Sequence, residues 1–139
     1  MTVNRDGTEN VLTVAGKFAV ENVVLASSCN NYGRAASTDI DQETEQNPLN
    51  PCAESKVAVE ASLDEAIVGY GLDRTALRIS TNYGWSLGVR FNLVVNHFVF
   101  RGLTDRPLTV YGDGSNWRPF IHVRDAARAY LDAALDLDS

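Results

Sequence analysis

Two pairs of residues in the first half of the sequence have types and spacings that suit chemistry in one cleft. Ser27 and Ser28 follow a short apolar run, at the point where a buried strand would end. Cys52 and Lys56 are four residues apart, so on a helix they share one face. A lysine near a cysteine can lower the pKa of the thiol and make it nucleophilic. No histidine lies near Cys52 in the sequence to complete a Cys–His pair.

The elements around these residues predict a parallel sheet. Asn22–Ala26 is apolar without alternation, which is typical of a strand buried on both faces. A helix is predicted over Pro51–Tyr70, since proline suits the first turn of a helix, and a second strand over Thr75–Thr81. A strand, a helix and a strand in this order imply a right-handed parallel crossover.

Hydroxyl groups end both predicted strands, which places a candidate site at one edge of the sheet. Ser27 and Ser28 end the first strand, and Ser80 and Thr81 end the second. Ligands of parallel sheets bind beyond the carboxyl ends of the strands. We therefore expect these hydroxyls to face one crevice, with Cys52 on the helix between the strands.

Periodicity predicts the remaining elements and the faces that they bury. The predictions are helices over Thr2–Phe18, Val89–Gly102 and Arg124–Leu137, short strands over Pro107–Tyr111 and Phe120–Val123, a surface loop over 34–51, and turns over 82–84 and 112–114. The predicted buried stripes are Val11, Leu12, Val14, Ala15 and Phe18 on the first helix, Val59, Leu63, Ala66, Ile67 and Tyr70 on the second, and Ala127, Tyr130, Leu131 and Ala134 on the last.

Composition and charge exclude several classes of protein. With 18 acidic and 12 basic residues the net charge is −6, which argues against a nucleic-acid partner. No stretch approaches the roughly 20 apolar residues of a membrane span, and the N-terminus lacks a signal pattern, so we expect a cytoplasmic protein. Cys29 and Cys52 form no metal-ligand spacing and no disulfide framework, and we predict no metal site. A Cys29–Cys52 bridge is conceivable, because both residues flank the cleft, but a cytoplasmic setting disfavours it.

Five motifs in order resemble those of one family. They are NxxGTxNVL over 4–12, ASSxxxYG over 26–33, NPCAESK over 50–56, LRxxTxYG over 77–84 and VYGDGxNxRxFxHVxD over 110–125. Together they resemble the extended short-chain dehydrogenases/reductases, the group of NAD-dependent nucleotide-sugar epimerases and dehydratases. Each motif alone is weak, but five in the right order are specific.

The resemblance implies an α/β fold with a partial Rossmann-type parallel sheet and the start of a small substrate-binding lobe. Residues 1–84 would form the C-terminal half of the dinucleotide-binding domain, and residues 85–139 part of the substrate lobe and a returning helix. The glycine-rich loop that binds the dinucleotide in the family is absent from this sequence. We therefore expect this chain to be the middle of a longer protein, which in the family forms a homodimer.

The resemblance also implies the catalytic and cofactor-binding positions, namely Ser28, Cys52 and Lys56. Ser28 matches the hydroxyl that binds the reacting oxygen, and Lys56 matches the lysine that holds the cofactor ribose. Cys52 occupies the position of the tyrosine that takes the proton in the family. Ser80 matches a position beside the nicotinamide. The implied cofactor is NAD, with NADP not excluded.

The implied substrate is a nucleotide sugar, held by four further residues. Thr81 matches a substrate contact, although the family often has asparagine there. Asn92 and Leu93 match a segment near the diphosphate of the sugar nucleotide, and Arg118 matches the arginine that pairs with it. A Thr-Asp-Glu sequence is typical of the dehydratases at the position of Ser28, and its acids are absent here, so 4,6-dehydration is not expected.

Cys52 limits the function that the sequence predicts. A thiol is shorter than a phenol and would not reach a sugar placed for tyrosine, because proton transfer needs heavy atoms within about 3 Å. Cys52 is therefore interpreted as the loss of the original acid/base, with a new catalytic thiol or a packing residue as alternatives. The predicted function is an NAD-dependent nucleotide-sugar epimerase or oxidoreductase, incomplete and weakly active or inactive as given. The alternative is a non-catalytic binding or structural remnant of that fold.

Overall fold

The computed structural model describes residues 2–34, 37, 39–110, 112–115 and 117–135, with the backbone alone at 2, 66–68 and 70. Some predicted positions lie outside the described residues or side chains. They are Ala66, Ile67 and Tyr70 of the second helix, Tyr111 and Asn116 of the last motif, and Leu137.

The described chain consists of helices and short strands. The elements are α1 (Thr2–Lys17), β1 (Asn22–Ser28), a 3-10 turn (Cys29–Tyr32), α2 (Pro51–Tyr70), β2 (Asp73–Ile79), β3 (Thr81–Tyr83), α3 (Val94–Leu103), β4 (Phe120–His122) and α4 (Val123–Leu135). Strands β1 and β2 form one parallel pair, and β3 and β4 form another. The predicted α/β class is confirmed.

The chain divides into two compact units. The first contains the described residues within 1–79 and 129–139, and the second contains those within 80–128. In the first unit β1 and β2 pair along their whole length, from Asn22 opposite Asp73 to Ser28 opposite Ile79. Since β1 leads through α2 to β2, this is the strand–helix–strand arrangement that the apolar run predicted.

The core of the first unit forms where α1 and α2 pack together. Leu12 and Leu63 are buried, and Val23, Leu25 and Ala76 of the sheet pack against them. The predicted α2 stripe holds at Leu63 and at Val59, which is also buried. The packing of α2 against both α1 and the sheet explains why these positions are closed to water.

Only two of the five residues predicted to form the buried stripe of α1 are buried. Leu12 and Ala15 are buried, but Val11, Val14 and Phe18 are exposed. Among the described residues no element covers that side of α1. The apolar pattern of a helix therefore marks more surface than the described chain buries.

The last helix buries a different face from the predicted one. Ala126 is buried, whereas Ala127, Leu131 and Ala134 are exposed. Alanines occur on several sides of this helix, so its periodicity does not distinguish neighbouring faces. The Asn22 side chain, whose Nδ2 lies 2.7 Å from the Ala133 carbonyl oxygen, donates to the end of α4 and satisfies a backbone acceptor there.

Gly84 and a short strand replace a predicted turn in the second unit. Residues 82 and 83 pair with β4 as part of β3, so only Gly84 turns the chain. Gly84 has φ +114°, and a Cβ there would lie 2.7 Å from His122 Nε2. Both the backbone conformation and the close approach of His122 require glycine at this position.

Two further predictions in the second unit are wrong. The helix predicted from Val89 begins at Val94, because Asn96 uses its side chain to accept from the Gly84 N–H and donate to the Arg90 carbonyl, which fixes a turn before the helix. Residues 107–110 form no strand, and Arg101 Nε donates to the Pro107 carbonyl oxygen at 2.6 Å instead.

Shortening Leu63 to alanine should strongly destabilise the first unit. Leu63 is only 2% exposed, and Leu63→Ala would lose buried contacts and leave a cavity costing about 2–5 kcal/mol. Leu131→Ala is a matched control because Leu131 is 60% exposed, and we expect a loss below about 0.5 kcal/mol. Urea unfolding gives both values. Equal losses for the two variants would contradict the assigned core.

Candidate functional site

Ser28 is fixed at the carboxyl end of β1. Its hydroxyl oxygen accepts from the Asn30 N–H at 3.2 Å and caps the 3-10 turn that follows the strand. The turn directs the chain away from the sheet, so the half-buried Ser28 side chain stays at the strand end. Because the oxygen acts as an acceptor in this bond, the hydroxyl hydrogen can still be donated to another group.

Lys56 reaches from α2 to the same end of β1. Its Nζ donates to the Ala26 carbonyl oxygen at 2.6 Å. Ala26 and Ser28 are two residues apart on the strand, a separation of about 7 Å. The structure thus brings the Lys56 ammonium and the Ser28 hydroxyl to one end of β1. An ammonium has three N–H donors, so the bond to Ala26 leaves donors for other partners.

Cys52 lies in the first turn of α2, one turn before Lys56, and is an exposed free thiol. Two contacts hold this turn in place. Ser55 Oγ donates to the Cys52 carbonyl oxygen at 2.7 Å, and Asn4 Nδ2 of α1 donates to Ser55 Oγ at 3.0 Å. Both contacts involve the backbone or the neighbouring serine, so the thiol itself faces solvent.

An apolar cavity of about 260 Å³ lies between α1, β1 and α2. Lys56 is on its wall together with Asn4 and Thr8, and valines and leucines of the three elements supply most of the rest. Neither Ser28 nor Cys52 lines it. The described cavity is therefore not a common site for the three candidate catalytic residues.

A group of buried and half-buried polar side chains, which we call the Glu60 cluster, lies beside Ser28. Its members are Ser27, Asn31, Tyr32, Gln46, Glu60 and Arg78.

The Glu60 carboxylate is the centre of this cluster. Arg78 donates to both of its oxygens, with Nη2 2.8 Å from Oε2 and Nε 3.2 Å from Oε1. Ser27 Oγ donates to Oε1, as does Asn31 Nδ2 at 3.0 Å. Gln46 Nε2 donates to Oε2 at 2.9 Å. Both carboxylate oxygens are therefore satisfied, as a buried charge requires.

The donors around Glu60 determine its protonation state. Burial raises the pKa of the Glu60 carboxyl group, but hydrogen bonds from Arg78, Ser27 and Gln46 outweigh burial and hold the pKa below its ordinary 4.5. The hydrogen bond to Glu60 in turn raises the pKa of the Arg78 guanidinium above its ordinary value. The pair is therefore a carboxylate and a guanidinium at neutral pH.

The predicted substrate residues belong to the second unit, together with Ser80. Ser80 and Thr81 are half-buried, and Thr81 begins β3. Leu93 caps α3 through its backbone, while Asn92 before it and Arg118 are exposed. The catalytic candidates Ser28, Cys52 and Lys56 all lie in the first unit, so the structure groups the predicted site residues in two sets.

The two tryptophans and two histidines of the sequence all lie in the second unit. Trp85 is 81% exposed and Trp117 is 86% exposed, so neither covers a core in the described chain. His97 lies 3.1 Å from the Phe91 carbonyl oxygen through Nδ1. The His122 ring packs edge-on against Tyr83. Both histidine rings thus make contacts within the second unit.

Glu60 and Arg78 were not singled out from the sequence as site residues. Glu60 follows Lys56 by four residues, a spacing that is ordinary on a solvated helix face. The available signal was Arg78, a charged residue inside the apolar strand run Thr75–Thr81. A charge in a buried strand requires a partner of opposite sign, and Glu60 is that partner.

No helix in the described part of the chain is long and apolar enough to cross a membrane. Within the described ranges, no three His, Cys, Asp or Glu side chains are grouped so that they could hold a metal ion.

Glu60 should make the free energy of unfolding of the chain decrease as the pH falls into the acidic range. Its pKa is lowered on folding, so its stabilisation is present above the ordinary value of 4.5 and is lost as the pH falls through the folded value. We expect the free energy of unfolding to fall more steeply in the wild type than in Glu60→Gln between about pH 6 and about pH 3. Urea unfolding at each pH measures this difference, and parallel curves would contradict the assignment.

Comparison with known proteins extends these findings. The whole chain, residues 1–139, matches the model of the NAD dependent epimerase/dehydratase family. UDP-glucose 4-epimerase from Lacticaseibacillus casei is 31% identical over 150 residues, which cover 98% of this chain and 45% of that protein.

Solved structures share the fold and confirm the Rossmann-type interpretation. UDP-N-acetylglucosamine 4-epimerase from Methanobrevibacter ruminantium M1, in complex with UDP-N-acetylmuramic acid, has a TM-score of 0.89 and 26% identity, over 99% of this chain and 45% of that one. MoeE5 in complex with UDP-glucuronic acid and NAD has a TM-score of 0.84 and 31% identity, over 94% and 44%. The chain thus spans less than half the length of these relatives. The resemblance drawn from the five sequence motifs is confirmed, and the chain belongs to the NAD dependent epimerase/dehydratase family.

Proposed function

We propose that this chain carries the nicotinamide-ribose end of an NAD site and serves oxidoreductive chemistry on nucleotide sugars, of the epimerase type. The observation that supports this most is the bond from Lys56 to Ala26, which holds an ammonium group beside Ser28 at the end of β1. The solved structure of MoeE5, 31% identical to this chain, contains NAD and UDP-glucuronic acid.

The donor set at the end of β1 fits one part of the cofactor. The Lys56 ammonium suits the hydroxyls of the ribose, and the Ser28 hydroxyl suits an oxygen at the reacting carbon. NAD, when bound, supplies the acceptor for a hydride. A glycine-rich turn for the pyrophosphate is absent from this sequence, so we assign only the nicotinamide-ribose contacts to this chain.

Cys52 limits the activity that we propose. In the family a tyrosine at this position takes the proton from the sugar hydroxyl, and a thiol in the first turn of α2 is too short to replace it. We therefore propose that the chain as given is weakly active or inactive. Lys56 and Ser28 would then bind and orient ligands without an efficient proton acceptor.

The family resemblance also supports proposed roles for residues of the second unit. Ser80 would contact the nicotinamide and Thr81 the sugar, by resemblance to the family. Asn92 and Leu93 would lie near the diphosphate, and the exposed Arg118 guanidinium is suited to pair with it.

Three properties follow from the family resemblance and stay proposals. We propose a boundary between the dinucleotide-binding part and the substrate lobe at residues 84 and 85. The full-length protein would be a cytoplasmic homodimer. NAD is preferred over NADP as the cofactor, which a direct comparison of the two dinucleotides would decide.

The alternative function is a non-catalytic binding or structural module that keeps the fold. Cys52 favours it, since the position of the proton acceptor is occupied by a different chemical group. The two functions differ in whether the chain binds the cofactor.

NAD should stabilise the chain against heat. At ten times its Kd a ligand adds about 1.4 kcal/mol to the free energy of unfolding, which raises the melting temperature by about 5 °C. Lys56→Met, which keeps the length of the side chain without its charge, should abolish most of the shift. Arg74→Met, which breaks the ion pair with Asp64, is the control and should keep the shift.

Thermal melts with NAD and with NADP give these values. A wild-type chain that shows no shift at millimolar NAD would remove the enzyme proposal and leave the non-catalytic module. An equal shift in Lys56→Met would instead place the cofactor away from the end of β1.

Restoring a phenol at position 52 should restore proton transfer. When the chain is supplied with the N-terminal half of the family fold, including its glycine-rich dinucleotide-binding turn, we expect Cys52→Tyr to epimerise UDP-glucose at least about 100-fold faster than the same protein with Cys52, the usual contribution of a positioned acid/base. Cys52→Phe is the matched control, with the same ring but no hydroxyl, and it should stay at the wild-type rate. A wild-type rate equal to that of Cys52→Tyr would show that Cys52 is not a lost acid/base position.

A further inference from the structure

The Glu60 cluster joins segments that are distant in the sequence. Glu60 comes from α2 and Arg78 from β2, whereas Ser27 and Asn31 come from the end of β1 and the turn after it. Ser27, Asn31 and Glu60 are all buried, at 7%, 0% and 8% exposure. A single carboxylate thus determines the relative position of two strands and a helix at the end where Ser28 lies.

The same cluster also holds the loop of residues 39–50. Gln46 Nε2 donates to Glu60 Oε2 at 2.9 Å, and Arg78 Nη1 donates to the Gln42 carbonyl oxygen at 3.1 Å. Both bonds depend on the Glu60–Arg78 pair, because the pair places the guanidinium and the free carboxylate lone pairs toward the loop.

The loop also packs closely against the end of the 3-10 turn. Gly33 has φ +60°, and a Cβ at this position would overlap the Asn47 carbonyl oxygen. Tyr32, the residue before Gly33, accepts from Arg78 Nη1 through its hydroxyl at 2.8 Å. The loop therefore lies directly on the turn that follows Ser28, and a few residues later it enters α2 at Pro51, the residue before Cys52.

We propose that Glu60 is a positioning residue: through Arg78 it locks the 39–50 loop onto the end of β1. It thereby orders both the turn that follows Ser28 and the loop that precedes Cys52. The link to cofactor binding rests on the proposed function, but the lock itself does not. Buried ion pairs are weak sources of net stability, because desolvation opposes the attraction between the charges. The value of this pair therefore lies in the geometry that its hydrogen bonds impose.

Protease cleavage within the loop measures the lock directly. Glu43 and Glu45 are exposed loop residues, and a glutamyl endopeptidase can cut after them once the loop opens locally. In Glu60→Gln and in Arg78→Met we expect cleavage at these two sites about ten-fold faster than in the wild type, as for the loss of one hydrogen bond to a charged group. Cleavage after Glu65, within α2, reports global unfolding in the same digest.

Two variants separate the lock from a general loss of an ion pair. Arg78→Lys keeps the positive charge and should restore part of the protection that Arg78→Met loses. Arg74 lies on the same strand as Arg78 and forms a more exposed ion pair with Asp64 of α2. Arg74→Met removes that pair, and loop cleavage should stay within two-fold of the wild type. If Glu60→Gln does not fold, Gln46→Ala removes one loop bond alone and should release the loop several-fold without faster cleavage at Glu65.

The results that overturn the proposal are distinct from those that overturn the proposed function. Wild-type loop cleavage in Glu60→Gln, or in Gln46→Ala where that variant replaces it, overturns the lock. Equal acceleration at Glu43 and Glu65 overturns it as well, since Glu60 would then only stabilise the fold. With a released loop, an unchanged NAD-induced thermal shift in Glu60→Gln overturns the link to the cofactor site. A wild-type chain that binds no NAD removes the proposed function, and the digest still decides the lock.

Discussion

The buried Glu60 carboxylate constrains the fold of the first unit, because a buried charge needs hydrogen-bond donors around it. Arg78 meets it from β2, Ser27 from β1 and Gln46 from the loop. None of these donors is close to Glu60 in sequence. They therefore converge only when β1 and β2 are paired in the observed register and α2 packs against them. The cluster thus ties the position of Ser28, next to Ser27, to the correct assembly of the sheet.

The positions of Ser28 and Lys56 follow from this arrangement. Strand β1 ends at Ser28, because the hydroxyl caps the turn that leads the chain away from the sheet. Lys56 and Glu60 are one helical turn apart on α2, so the helix that brings Glu60 to Ser27 also brings the Lys56 ammonium to Ala26. The proposed cofactor contact of Lys56 and the structural ion pair of Glu60 therefore share one helix face.

Local sequence patterns correctly predicted the elements that neighbouring residues are enough to identify. The apolar run of β1 and the proline at the start of α2 predicted the parallel crossover. The apolar run at 107–110 has the same composition as a strand but finds no partner among the described residues, and strand formation depends on a partner that periodicity does not identify. The predicted face of α4 missed Ala126 for a similar reason, since alanines on several sides leave the buried face to tertiary contacts.

Some residues of the candidate site can be recognised from residue type and spacing, whereas others become apparent only from the packing. Ser28, Cys52 and Lys56 stood out because hydroxyl, thiol and ammonium groups occurred at a strand end and at helical spacing. Glu60 has the type and spacing of a solvated helix residue, and its burial depends on Arg78, which lies 18 residues further along the chain. The proposed replacement of the proton acceptor at Cys52 leaves these supporting contacts intact. The scaffold of a site can therefore persist in a chain whose chemistry has changed, which is why the fold and the activity of this protein have to be tested separately.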